Sequence, residues 1–95
     1  MILTPQEAMA LLRLKEDPND YPEINIILPA VDSFIESATG KDWGQDNIVD
    51  PVAKMAAGIL FVRWFDNIGM IGQKVDDIGF IGLITQLEAK ALCEG

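Results

Sequence analysis

The stretch "DPVAKMAAGILFVRWFDN", Asp50 to Asn67, decides the fold class. Asp50 followed by Pro51 is a helix start: a carboxylate that accepts from the first free amides, then a proline whose fixed φ suits the first helical position. Val52, Met55, Ala56, Ile59 and Val62 recur at helical spacing and predict an α-helix that runs to about Asn67. Ala53, Ala57, Leu60, Phe61, Trp64 and Phe65 fill most of the remaining circumference. A helix that is apolar nearly all round has to be surrounded. Ile59, Leu60, Trp64 and Phe65 are therefore read as the core spine.

Upstream, Thr4-Pro5-Gln6-Glu7 reads as a capping box, and a short helix follows to about Arg13 with Ala8, Leu11 and Leu12 on one face. Lys15 to Pro22 is an acidic loop bounded by proline. A second helix starts near Pro22 or Glu23, since Ile24, Ile27, Leu28, Val31, Phe34, Ile35 and Ala38 keep the same period. Gly40 ends it. Pro29 lies inside this pattern, where it removes one amide donor and predicts a kink rather than two helices. Lys41 to Asp50 is a second loop.

Downstream, "NIGMIGQKVDDIGFIGLI", Asn67 to Ile84, carries the motif Ile-Gly-apolar-Ile-Gly twice, ten residues apart. It is too glycine-rich for a stable helix and too apolar for an ordinary surface loop. A loose hairpin or extended loop fits, with a last helix beginning at Phe80 or Ile81 and facing inward through Phe80, Leu83, Ile84, Leu87 and Ala91. The stretch either folds back over its own core or is covered by another chain. The second option makes Met70, Ile71, Val75, Ile78 and Phe80 oligomer or partner contacts. The expected fold is thus all-α, a single domain over residues 1–95. It is a small bundle of about four helices with a glycine-rich apolar loop or hairpin between the third and fourth.

Composition narrows the function. A chain of 95 residues with 49% hydrophobic content is marginal as a lone core, which hints that a partner covers some apolar surface. Seven basic against fifteen acidic residues give a net charge of −8, and the basic residues are scattered. Tight binding to nucleic acid needs them clustered, so none is expected. There is no histidine, which removes Ser-His and Cys-His catalysis, and zinc lacks ligands. Cys93 stands alone near the end. EF-hand spacing fails from Asp17 and from Asp42, and Asp76-Asp77 reads as a solvated turn. Gly69, Gly72, Gly79 and Gly82 match neither the phosphate loop nor the dinucleotide fingerprint. No enzyme, metal or cofactor is expected. The longest apolar run, Met55 to Val62, is too short to span a membrane, and no signal peptide is read, so the expectation is a soluble intracellular chain.

The order of these pieces resembles the head–tail connector (adaptor) proteins of long-tailed phages and prophages. "LTPQEAMALLRL" from Leu3 looks like the family's capped opening helix, and "IILPAVDSFIESATGKDW", Ile26 to Trp43, is similar to its second. "PVAKMAAGILFVRWFDN" from Pro51 looks like its third helix, and "GFIGLITQL" from Gly79 resembles the closing one. The resemblance implies a structural virion protein, made in the bacterial cytoplasm and placed at the head–tail junction. Its copies would form a ring under the portal protein, contact tail or head-closure proteins, and let DNA pass through the bore. An acidic wall suits such a conduit, because it keeps phosphates from sticking; the same charge also serves plain solubility. The alternative is a small helical regulatory or protein-binding module of a phage or bacterium, with its groove between helices two and three.

Overall fold

The computed structural model describes residues 1–15, 20–73 and 75–94. It is an all-α bundle of four helices: α1 Pro5–Leu11, α2 Ile24–Thr39, α3 Pro51–Asp66 and α4 Ile78–Glu94. Single 3-10 turns lie at Trp43–Gln45 and Ile68–Met70, and no strand occurs among the described residues. The described residues between α3 and α4 carry the second of these turns and otherwise irregular backbone. Residues 16–19, half of the acidic loop expected at Lys15 to Pro22, lie outside the described residues.

Local chemistry explains each boundary. The Thr4 hydroxyl accepts from the Glu7 amide at 3.1 Å and the Glu7 carboxylate accepts from the Thr4 amide at 3.0 Å, so the capping box forms as expected. α1 stops at Leu11, short of Arg13. There the Arg13 amide bonds to the Ala10 carbonyl and the Leu14 amide to the Met9 carbonyl, with Arg13 at φ 57°. This is the paired ending that usually uses glycine at the left-handed position; an arginine there costs roughly 1–2 kcal/mol. α2 runs through Pro29 as one helix, and the carbonyl that Pro29 leaves without a donor belongs to Asn25, an exposed residue that water can serve. Gly40 closes α2 at φ 85°.

The core is built around α3. Ala53, Ala56, Ala57, Leu60, Phe61 and Trp64 are buried along one side of it, against Ile27, Leu28, Val31 and Ile35 of α2 and Leu87 of α4. Small alanines let the helices approach closely, and Trp64 fills the space beyond, edge-on to Phe34 at 5.6 Å. Its indole N–H is buried and has no hydrogen-bond partner among the described residues, a penalty of about 1–3 kcal/mol that the packing has to exceed. Trp43 closes the end of α2: its indole donates to the Thr39 hydroxyl at 2.9 Å, which donates to the Ile35 carbonyl at 2.7 Å. Of the expected spine, Leu60 and Trp64 are fully buried, whereas Ile59 and Phe65 are half-buried at the edges.

Two ion pairs bracket the α3–α4 contact and show that these helices run antiparallel. Lys90 reaches Asp50 at 3.0 Å at one end, and Arg63 reaches Asp77 at 3.2 Å at the other. α1 is tied to α3 by Lys54, whose ammonium lies 2.8 and 2.7 Å from the two Glu7 oxygens.

Candidate functional site

α3 is apolar nearly all round, and only one side of it is covered. The opposite side, Met55, Ile59 and Val62, forms the floor of an open groove of about 870 Å³ between α1 and α3. Leu11 of α1 forms its near wall and sits over Gly58, where an added Cβ would come within 3.3 Å of a Leu11 methyl. Met55 is 59% exposed, and the floor as a whole is apolar with charge only at its ends, Glu7 and Lys54 at one and Arg63 and Asp66 at the other. The expected groove between the second and third helices is instead packed core; the open one lies on the other side of α3.

A second uncovered apolar surface lies on α4. Phe80, Leu83, Ile84, Leu87 and Ala91 turn inward, as the spacing predicts. At 100° per residue, Ile78, Ile81, Thr85, Ala89 and Leu92 then share the opposite face. Ile78 is 87% and Leu92 76% exposed, so this face is a narrow apolar ridge with Gly82, Thr85 and Ala89 as its low points. A smaller cleft of about 280 Å³ between α2 and α4 is lined by Phe34, Ala38, Val75, Phe80 and Ile84, with Ile81 and Thr85 of the ridge forming its edge.

The five residues expected to meet a partner separate into three kinds. Val75 at 4% and Phe80 at 3% exposure belong to the chain's own core and reach the surface only at the floor of the α2–α4 cleft. This corrects their assignment as contacts: Phe80 is the first inward residue of α4, and its ring lies 6.2 Å from that of Phe34. Met70 and Ile71 are half-buried against the core in and just after the 3-10 turn. Ile78 alone is fully presented to solvent. Sequence reading placed Leu11, Met55 and Val62 on apolar helix stripes rather than in an open groove, and it passed over Ile81 and Leu92 as contacts on the ridge.

The electrostatics hold the helices rather than a ligand. Glu7, Asp50 and Asp77 each cap a helix start with one interaction and bind a base on another helix with a second. Asp50 accepts from the Val52 amide at 2.8 Å, and Asp77 accepts from the Phe80 amide at 3.0 Å. Lys54 holds the Glu7 carboxyl below its ordinary value, Lys90 does the same for Asp50, and the Phe80 amide, followed by Arg63, does so for Asp77. Asp32 moves the other way, because burial outweighs the hydrogen bond it accepts from the Ile2 amide. With Lys41 on Asp46 at 3.1 Å, at least four basic residues among those described each hold a carboxylate of this chain. Among the described residues no group of three or more His, Cys, Asp or Glu converges on a point that could hold a metal ion, and Cys93 is exposed. No described helix is long and apolar enough to cross a membrane.

No protein-family model matches the chain, and neither a curated protein nor a solved structure is detectably similar to it. What the surface can do follows from its geometry. Two uncovered apolar faces on different helices of a small bundle suit protein contact, since soluble monomers rarely leave contiguous apolar patches open.

Proposed function

We propose that the chain is a structural subunit of a phage or prophage head–tail connector, a ring of identical copies seated under the portal through which DNA passes. The observation that carries this reading is the pair of uncovered apolar faces, the α1–α3 groove and the outer side of α4. A ring subunit needs two different contact surfaces, one for each neighbour. The helix order supports it too, since a capped short helix, a long second helix, an apolar third and a closing fourth is the order that the resemblance implies. The charge agrees with a conduit: the net charge is −8, and four bases are already engaged by carboxylates of the same chain. Such a wall repels DNA phosphates rather than gripping them.

The alternative, a small binding module, draws on the groove alone and leaves the α4 ridge without a role. Electron microscopy of the purified chain mixed with portal rings separates the two. The connector reading expects a collar of copies on one face of the portal, with an open bore. Portal rings that stay bare while the chain remains free in solution would overturn it.

A further inference from the structure

We propose that residues 1–14 form an arm that opens as one unit from a body made of α2, α3 and α4, and that its opening turns the α1–α3 groove into a flat apolar face of α3. The inference goes beyond the connector reading and does not depend on it. Burial is divided unevenly between the two parts. Among the described residues the arm buries Ile2, Leu3, Ala8 and Met9, with Leu12 and Leu14 half-covered. The body keeps the large side chains Trp43, Leu60, Phe61, Trp64 and Leu87. At seven residues α1 is too short to persist as a helix away from the body, so it forms only while docked. Arg13 at φ 57° strains its end, and opening relieves that strain.

Three residues of the body pin the start of the arm. The Lys54 ammonium, already between the two Glu7 oxygens, also donates to the Ile2 carbonyl at 3.3 Å, so one side chain of α3 holds the chain before α1 and the first turn of α1 together. Asp32 of α2 accepts from the Ile2 amide at 3.1 Å. Gly44, in the 3-10 turn after α2, lets the backbone of Met1 lie against it; an added Cβ would come within 2.9 Å of the Met1 Cα. All three pins belong to the body, so each can be removed without changing the arm's own sequence. Once they release, Leu11 leaves Gly58 and the groove loses its α1 wall. Met55, Ile59 and Val62 stay in place on α3, because the rest of that helix is held by α2 and α4.

The test pairs amide hydrogen exchange with methionine oxidation by dilute hydrogen peroxide, located by mass spectrometry. Met9 lies in the arm at 4% exposure, and Met55 at 59% is the open reference. In the parent the amides of Ala8, Met9 and Leu12 should share one opening equilibrium and exchange on the order of 100-fold faster than those of Leu60 and Phe61. Met9 should oxidise on the order of 100-fold more slowly than Met55, since its thioether meets peroxide only when the arm is open. A Gly44→Ala, Lys54→Met double variant removes two pins. It should lose protection at Ala8, Met9 and Leu12 and oxidise Met9 nearly as fast as Met55, while Leu60 and Phe61 stay protected. Arm and core amides that exchange at one common rate in the parent would overturn the proposal, because arm and body would then be a single cooperative unit. So would a double variant in which Leu60 and Phe61 lose protection together with the arm, or one in which Met9 oxidises as slowly as in the parent.

Discussion

The same five-residue pattern occurs twice and folds in two ways. Ile68-Gly69-Met70-Ile71-Gly72 is a 3-10 turn followed by a second turn, while Ile78-Gly79-Phe80-Ile81-Gly82 is the first turn and a half of α4. What precedes and follows each copy decides the outcome. The first copy comes straight after Asn67, whose extended backbone at φ −143° breaks α3, and it ends on Gly72 at φ 84°. The second follows Asp77, which caps the Phe80 amide, and it feeds into Leu83, Ile84 and Leu87 at helical spacing. Two glycines cost a helix roughly 1 kcal/mol each relative to alanine, and a cap together with a buried face outweighs that.

Phe80→Ala should have the largest effect, because it empties a core position in the helical copy: about 3–5 kcal/mol lost in denaturant unfolding. Its counterpart Met70→Ala removes a half-buried side chain and should lose only about 1–2 kcal/mol. Equal losses would mean that both copies contribute to the core alike. The fifth position of the motif gives a sharper contrast, in sign. Gly72→Ala forces a Cβ into left-handed backbone and should destabilise by roughly 1–2 kcal/mol. Gly82 sits in α4 with open space where a Cβ would go, so Gly82→Ala, measured in dilute protein, should stabilise by roughly 0.5–1 kcal/mol. Two changes of the same sign would show that the copies share one conformation.

The smallest expected effect is the pH dependence of the caps. Glu7, Asp50 and Asp77 titrate below their ordinary values in the folded chain. A depressed carboxylate stabilises fully above its unfolded pKa, and that contribution fades as pH falls through the folded one. Helix starts should therefore weaken below about pH 4, with Asp32 opposing, since its raised value makes acidification favourable there. The Phe80 amide shift, followed by NMR, should move with the Asp77 titration while the amide of Met70 does not.

What was legible in the sequence was local. The Thr4–Glu7 box and the Asp50 cap connect residues two or three apart, and the α3 and α2 stripes repeat within one helix. The end of α1 was not legible, because Arg13 takes a left-handed position that glycine normally marks. The ridge was present as spacing, Ile78, Ile81, Thr85 and Leu92, but beginning the helix at Phe80 or Ile81 hid its first member. The groove depends on Leu11 meeting Gly58 across two helices, which no local pattern records. The excess of apolar residues around α3 did signal that something remained uncovered, and Met55 and Val62 are where it lies.

Amide hydrogen exchange across both copies of the motif tests the account most directly, because the ridge on α4 exists only if the second copy is helical. Helical amides inside a packed bundle open rarely, whereas single-turn bonds in exposed backbone open readily. The amides of Gly82, Leu83 and Ile84 should be strongly protected. Those of Met70 and Ile71, held only by bonds to the Asn67 and Ile68 carbonyls at 2.9 and 3.2 Å, should exchange fast. Equal protection in the two copies, or fast exchange from Gly82 to Ile84, would contradict the account and remove the ridge with it.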